Sequence, residues 1–241
     1  MTPPSARTRV LLRPSGTDIG RLRIPHAAVE AWSGPVLVYG GLSVVAIATA
    51  LARGQSPIGA EAWLPLPTGS ILGHLASLAG GIVLALGTVK ATRHFVKRWS
   101  WARTLHNDLR PAVRHTGTSS IVILGIASAA SEELFFRGLL TTTFGVIASS
   151  LAFGLLHQMR GRVRWVWAGW AAVMGFLFGA LFLATGSLLG PLLAHAAINV
   201  ANLRFLRDTD VDAPRPRRLG GLLDSTPTPT RTSVRLPPPS R

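Results

Sequence analysis

The constraint that decides most about this chain is the length of its apolar runs, which lie at about 35–52, 69–89, 118–140, 144–157, 165–185 and 187–206. A helix needs about 20 residues to cross the roughly 30 Å hydrocarbon core of a bilayer. Inside that core every backbone N–H and C=O must be satisfied within the protein, which a helix does by itself. Of the 241 residues 48% are hydrophobic and only 15% charged, the balance of an integral membrane protein. The expected fold is therefore all-α: a polytopic membrane helix bundle of about six transmembrane helices. The fourth run is short for a full crossing and reads as a partial or tilted span. The first follows a polar segment and reads as an uncleaved signal anchor.

The basic residues fix an orientation. The chain has 25 of them and a net charge of +15. All but Arg53 and Arg137 fall in four segments: the N-terminus (Arg7 to Arg23), Lys90 to Arg114, Arg160 to Arg164, and Arg204 onward. Six spans with both termini cytoplasmic place all four segments on one side, as the positive-inside rule requires. The same placement argues against a nucleic-acid partner. There is no recognisable binding motif and no basic stripe interleaved with aromatics, whereas topology-setting charge beside an anionic membrane surface accounts for the pattern.

Three parts follow: a polar basic cytoplasmic segment at 1–34, a transmembrane domain at 35–206, and a disordered cytoplasmic tail at 207–241, rich in Pro and Arg. Segment 90–115 mixes basic residues with Phe95, Trp99, Trp101 and Leu105. It reads equally as an amphipathic helix on the membrane surface and as an ordinary loop. Trp165, Trp167 and Trp170 open the fifth span and fit an interfacial belt. His74, in the second span, reads as a hydrogen-bonded core residue. The chain has no cysteine, which excludes disulfides and thiol catalysis.

Three polar patterns break the apolar helices: Glu132-Glu133-x-x-x-Arg137, Phe153-x-x-x-His157 and His195-x-x-x-Asn199. A charge near the bilayer centre costs about 2.5–3.5 kcal/mol on the least severe scale, so such residues mark functional sites by default. At 1.5 Å per residue, Glu132 lies about 13 Å below a turn at Thr141–Thr143. On the same scale His195 lies about 12 Å, Asn199 about 18 Å and His157 about 20 Å from the outer ends of their helices. All four are expected at mid-membrane, on three helices. Glu133 and Arg137, at i and i+4, can neutralise each other. Glu132 is turned about 100° from Glu133 and is available for chemistry. Small residues around both sites (Gly125, Ala127 to Ser131, Ala194, Ala196, Ala197, Ala201) allow close helix approach, and Gly190-Pro191 is placed to bend the sixth helix.

A carboxylate and a neutral imidazole can bind and deprotonate water, and a second histidine with a side-chain amide can donate to an oxyanion. Those parts suffice for amide hydrolysis without a covalent nucleophile.

The motifs SEELFFRG, FGLLH and HAAIN, in this order on successive helices, resemble the CPBP family of CAAX proteases and bacteriocin-processing enzymes, also called Abi, which includes the type II CAAX prenyl endopeptidase. The resemblance covers about 118–206. It implies that Glu132 and His157 activate water, that His195 and Asn199 stabilise the oxyanion, and that Glu133 and Arg137 are structural or orient the site. It implies an intramembrane endopeptidase of glutamic type, acting on a membrane-anchored protein or peptide from within the lipid bilayer. No cofactor is expected. If zinc were bound, Glu132, His157 and His195 would be its ligands. The expected location is a bacterial cytoplasmic membrane, with maturation of a peptide or sorting signal as the role. The rival readings are a non-catalytic immunity or scaffold protein of the same fold, and a small transporter with a buried Glu–His proton relay.

Overall fold

A computed structural model describes residues 26–67 and 69–212, with side chains described from residue 34 onward. The expected basic N-terminal segment through residue 25 and the tail from residue 213 lie outside the described residues. Seven helices carry the described chain: α1 (His26–Ala52), α2 (Ile71–Arg98), α3 (Ser100–Leu109), α4 (Thr118–Glu133), α5 (Thr142–Leu156), α6 (Arg164–Thr185) and α7 (Leu189–Asp208). A π-helical stretch, Leu134–Thr141, joins α4 to α5. Among the described residues no strand forms, and the only bridge between extended residues pairs Gly59 with Ser187. The bundle is all-α, as expected.

Four stretches are long and apolar enough to cross a membrane: Gly34–Ala52, Ile71–Arg98, Thr118–Leu156 and Arg164–Thr185. The sequence expectation was about six spans, and the difference has two causes. Thr118–Leu156 runs for 39 residues, which as one straight helix would reach about 58 Å, twice the hydrocarbon core. It is not straight. Gly145 has φ 84° and ψ 165°, and beyond it the chain turns back on itself. Thr141 and Ser149 hydroxyls meet at 2.7 Å, although eight residues of straight helix would hold them about 12 Å apart. The second cause is α7, whose His195, Asn199, Asn202 and Arg204 lower its hydropathy. It is nonetheless a full helix packed between α2 and α4.

The turn at Gly145 corrects the depth estimates. Counted from residue 145, Glu132 lies 13 residues before the turn and His157 12 residues after it, roughly 19 and 18 Å along their arms. The 13 Å expected for Glu132 came from placing the turn at 141–143. Residues at matching distances from Gly145 face each other down the hairpin: Thr141 with Ser149, four residues either side, then Phe136 with Phe153, nine and eight residues away, at 4.8 Å between ring centroids. Backbone of this kind is open essentially only to glycine. Gly145→Ala is expected to destabilise the protein by about 1–3 kcal/mol, read by thermal unfolding in detergent. A variant as stable as the parent would mean that this turn is not the fixed point of the hairpin.

Polar bonds and close backbone approach hold the remaining helices, in place of the solvent-driven burial that lipid does not supply. Ser77 on α2 accepts from the Gly190 N–H and donates to the Ser187 carbonyl, both at 2.9 Å. At α4, a Cβ on Gly125 would sit 2.8 Å from Val200 of α7. Gly190 and Pro191 form the first turn of α7 and do not bend it further along, because proline is tolerated where the first N–H groups have no helical partner. Half-buried His74 donates to or accepts from the Ser187 hydroxyl at 2.8 Å, the hydrogen-bonded histidine expected.

The two ends of the bundle differ. At one, α3, the start of α4 and the end of α7 are tied by His106 to the Thr209 carbonyl (2.9 Å), Arg110 to Asp210 (3.2 Å) and Arg207 to Thr118 (2.9 Å). At the other, Arg53 reaches Thr143 (2.7 Å) and the 57–64 loop pairs with the α6–α7 turn. Segment 90–115 resolves the earlier choice in favour of helix. Its first part extends α2 to Arg98, and α3 follows with Ala102 and His106 turned inward. Of residues 207–212, read from sequence as the start of the tail, Arg207 and Asp208 complete α7, and beyond it Asp212 accepts from Asn107 of α3 and Asp210 pairs with Arg110 just after α3.

Candidate active site

The hairpin at Gly145 brings the first two motifs together, and α7 brings the third. Glu132 ends α4, with its Oε2 atom 3.6 Å from His157 Nε2 and 3.7 Å from His195 Nε2. That oxygen is buried and accepts no hydrogen bond from protein. His157 is not inside a helix, as the sequence suggested, but caps the end of α5 with φ −84° and ψ 55°. This places it beside the loop that returns to the basic end, and its side chain is the most open of the three.

Both imidazoles are oriented through their other nitrogen. His157 Nδ1 lies 2.7 Å from the Phe153 carbonyl, an acceptor only, so Nδ1 carries the proton and donates. His195 Nδ1 lies 2.7 Å from Glu133 Oε1 and donates to that carboxylate. In the neutral rings both Nε2 atoms are then acceptors, aimed at a third acceptor, Glu132 Oε2. Three lone pairs converging within 3.7 Å call for proton donors or a cation between them.

Glu133 and Arg137 sit beneath this set. Arg137 Nη1 lies 2.9 Å from Glu133 Oε1, an ion contact whose angle misses a linear hydrogen bond. Its Nη2 donates to the Gly175 carbonyl at 3.2 Å. The guanidinium stands over the rings of Phe153 (4.6 Å) and Phe178 (5.1 Å). Arg137 and Glu133 are the most deeply buried charges described, at 1% and 0% exposure, so each depends on the other for compensation. Glu133 does more than the ion pair read from sequence, since it also fixes His195. Spacing could not reveal that contact, because the two residues are 62 positions apart.

Asn199 lies one turn beyond His195, as expected, and its Nδ2 donates to the Ser128 hydroxyl at 3.1 Å. The amide has a second N–H. His157 and His195 stand at nearly equal distances from Glu132, so the division of roles implied by the resemblance has no counterpart in those two lengths.

A cavity of about 320 Å³ opens onto Glu132, His157, His195 and Asn199, a volume in the range of small-ligand sites. The rest of its wall is largely apolar and aromatic, including Phe95, Trp101, Trp170 and Trp167, whose ring lies 6.1 Å from that of His157. Trp167 and Trp170 thus face the cavity, and of the three tryptophans read as an interfacial belt only Trp165, 60% exposed, points outward. α3 closes the cavity toward the basic end with one face, Trp101, Leu105 and Leu109. Phe153, expected to be simple packing, touches both histidines, at 4.2 Å from His157 and 5.9 Å from His195 between ring centroids.

A tetrahedral zinc with bonds of about 2.0–2.1 Å keeps its ligand atoms roughly 3.3–3.4 Å apart, closer than the 3.6 and 3.7 Å here. Among the described residues no group of three or more His, Cys, Asp or Glu side chains has metal-holding geometry.

Comparison with known proteins bears on the same stretch. A Bacillus subtilis (strain 168) relative, "Uncharacterized protein YpbD", is 35% identical over 79 residues, which cover 33% of this chain and 41% of the relative. The match therefore spans well under half of either protein. No solved structure matches. Residues 115–201 match the family described as "Type II CAAX prenyl endopeptidase Rce1-like". The matched residues, well under half of the chain, include Glu132, His157, His195 and Asn199 of this integral membrane protein.

Proposed function

We propose that this protein is an intramembrane endopeptidase that hydrolyses a peptide bond of a membrane-anchored protein or peptide with water activated by Glu132. The observation that carries the reading is Glu132 Oε2, a buried carboxylate oxygen with no protein hydrogen bond, facing two imidazoles whose other nitrogens are already committed. With His195 protonated at Nε2 as well as Nδ1, two acceptors remain, and a water there donates one hydrogen to Glu132 and the other to His157 and aims a lone pair at the cavity.

In the reaction Glu132 takes the water proton as the oxygen adds to the scissile carbonyl carbon. The carbonyl electron pair moves onto its oxygen. Asn199 donates to that oxyanion, joined by His195. As an imidazolium His195 donates from both nitrogens, Nδ1 to Glu133 and Nε2 to the oxyanion. His195 carries this proton before water adds, when the charges of Glu132, Glu133, Arg137 and His195 sum to zero; as Glu132 becomes neutral the oxyanion takes over its negative charge, and the sum is kept. The tetrahedral species collapses as its C–N bond breaks, and the leaving nitrogen takes the proton held by Glu132. The products are a carboxylic acid and an amine. An apolar, aromatic cavity beside the site suits a substrate held in or at the bilayer. A bacterial cytoplasmic membrane is the setting we propose.

The test compares the N- and C-terminal peptides of membrane proteins, by mass spectrometry, in cells carrying the native chain or Glu132→Ala. Termini lost in the variant at equal protein level would establish the protease and name its substrate. Identical termini with the variant folded and inserted would favour a scaffold or immunity protein. Cleavage abolished by a chelator and restored by zinc would instead make Glu132, His157 and His195 metal ligands.

A further inference from the structure

The matched family region begins at residue 115, yet one wall of the cavity comes from α1, far upstream. α1 turns mostly apolar side chains outward, with Leu37 75% and Val44 66% exposed. Tyr39 breaks that pattern. It is half-buried and lines the cavity together with Glu132, His195 and Asn199. It is also the only tyrosine in the chain.

Its position is set by the packing of two helices that run the same way, both away from the basic end. Ser43 on α1 donates to Ser131 on α4 at 3.0 Å. One turn back along each helix lie Tyr39 and Ser128, which line the cavity together. Ser128 also accepts from Asn199. Tyr39, Ser128 and Asn199 therefore line one cavity together with Glu132. A tyrosine carries an O–H donor with an ordinary pKa near 10, so it donates throughout the neutral range. Placed next to Asn199 in a water-poor cavity, such a donor faces the oxygen on which charge develops.

We propose that Tyr39 is a further catalytic residue, whose phenol O–H donates, beside Asn199, to the oxyanion formed when water adds to the scissile carbonyl. This rests on the endopeptidase reading. No bond to Tyr39 forms or breaks, and the proton stays on the phenol.

The experiment uses the full chain in liposomes and a substrate peptide found by the terminal-peptide comparison. Tyr39→Phe is expected to lower kcat about 10²-fold, the scale of one lost oxyanion donor, with KM within twofold. Because Tyr39 is the single tyrosine, growth on 3-fluorotyrosine alters this phenol alone. Fluorine acidifies the phenol, so the alkaline limb of the rate profile should move to lower pH. A tyrosine that only braces Ser128 would change stability and leave that limb in place. Full kcat in Tyr39→Phe, or an unmoved alkaline limb, overturns the proposal. Glu132→Gln, run in parallel, separates the two readings. If Glu132→Gln is inactive and Tyr39→Phe fully active, only the role of Tyr39 falls. If Glu132→Gln cleaves normally, the endopeptidase site falls and the role of Tyr39 with it.

Discussion

Glu132→Gln is expected to lower kcat for peptide cleavage by about 10³-fold, within the range by which a positioned general base accelerates proton transfer, while leaving the protein folded. Glutamine keeps the shape of the side chain but cannot take a proton from water. It also turns the meeting of lone pairs around residue 132 into a direct donor–acceptor contact. Its amide can donate to His157 or His195, 3.6 and 3.7 Å from the present oxygen, which closes the space a water would fill. His157→Ala should cost about 10²-fold, because Glu132 remains to accept the proton while the second acceptor on the water is gone. The two losses should not multiply, since residues acting as one unit give strongly non-additive effects. The double variant should be about as slow as Glu132→Gln alone. Single-turnover cleavage of the natural substrate in liposomes reads all three rates. More than a tenth of the native rate in Glu132→Gln would show that the carboxylate is not the base.

Much of this site is legible in the sequence because membrane depth makes polarity conspicuous. Glu132, His157, His195 and Asn199 stand out from apolar neighbours by cost alone, and the structure brings both histidines within 3.7 Å of one Glu132 oxygen. The ion pair of Glu133 with Arg137 was visible too, because four-residue spacing is a helix rule. The bond from His195 to Glu133 was not, since it depends on how α7 lies against α4. The hairpin was only half legible. A break between the third and fourth runs showed as small polar residues, but the pivot at Gly145 and the π-helical stretch before it leave no periodic trace. A regular α-helix was therefore assumed, and Glu132 was placed about 6 Å too shallow. Trp167 and Trp170 misled for a related reason. Tryptophan near a helix end fits a lipid interface and a cavity wall equally well, and only the cavity they share with one face of α3 decides. Tyr39 could not be found by motif, being on a helix whose sequence otherwise reports only lipid contact.

Arg137→Met is expected to destabilise the protein by about 3–5 kcal/mol, the usual consequence of removing one member of a buried ion pair. Methionine replaces the length of the arginine stem and packs well against the rings of Phe153 and Phe178, so lost volume accounts for little of this. The larger part comes from Glu133, fully enclosed, which would keep its charge and lose its only described cationic partner other than the imidazole of His195. The second substitution isolates that cause. Glu133→Gln in the Arg137→Met background removes the stranded charge while keeping an acceptor for His195 Nδ1. It should recover most of the lost stability, because a buried pair replaced on both sides by neutral groups of similar volume is often close to neutral. Activity should not recover equally, since the neutral amide supports a protonated His195 less well than a carboxylate does. Thermal unfolding in detergent measures the first effect and cleavage rate the second. Arg137→Met within 1 kcal/mol of the parent would mean that Glu133 is neutral at its site, and that the charge balance ascribed to the four buried groups is wrong.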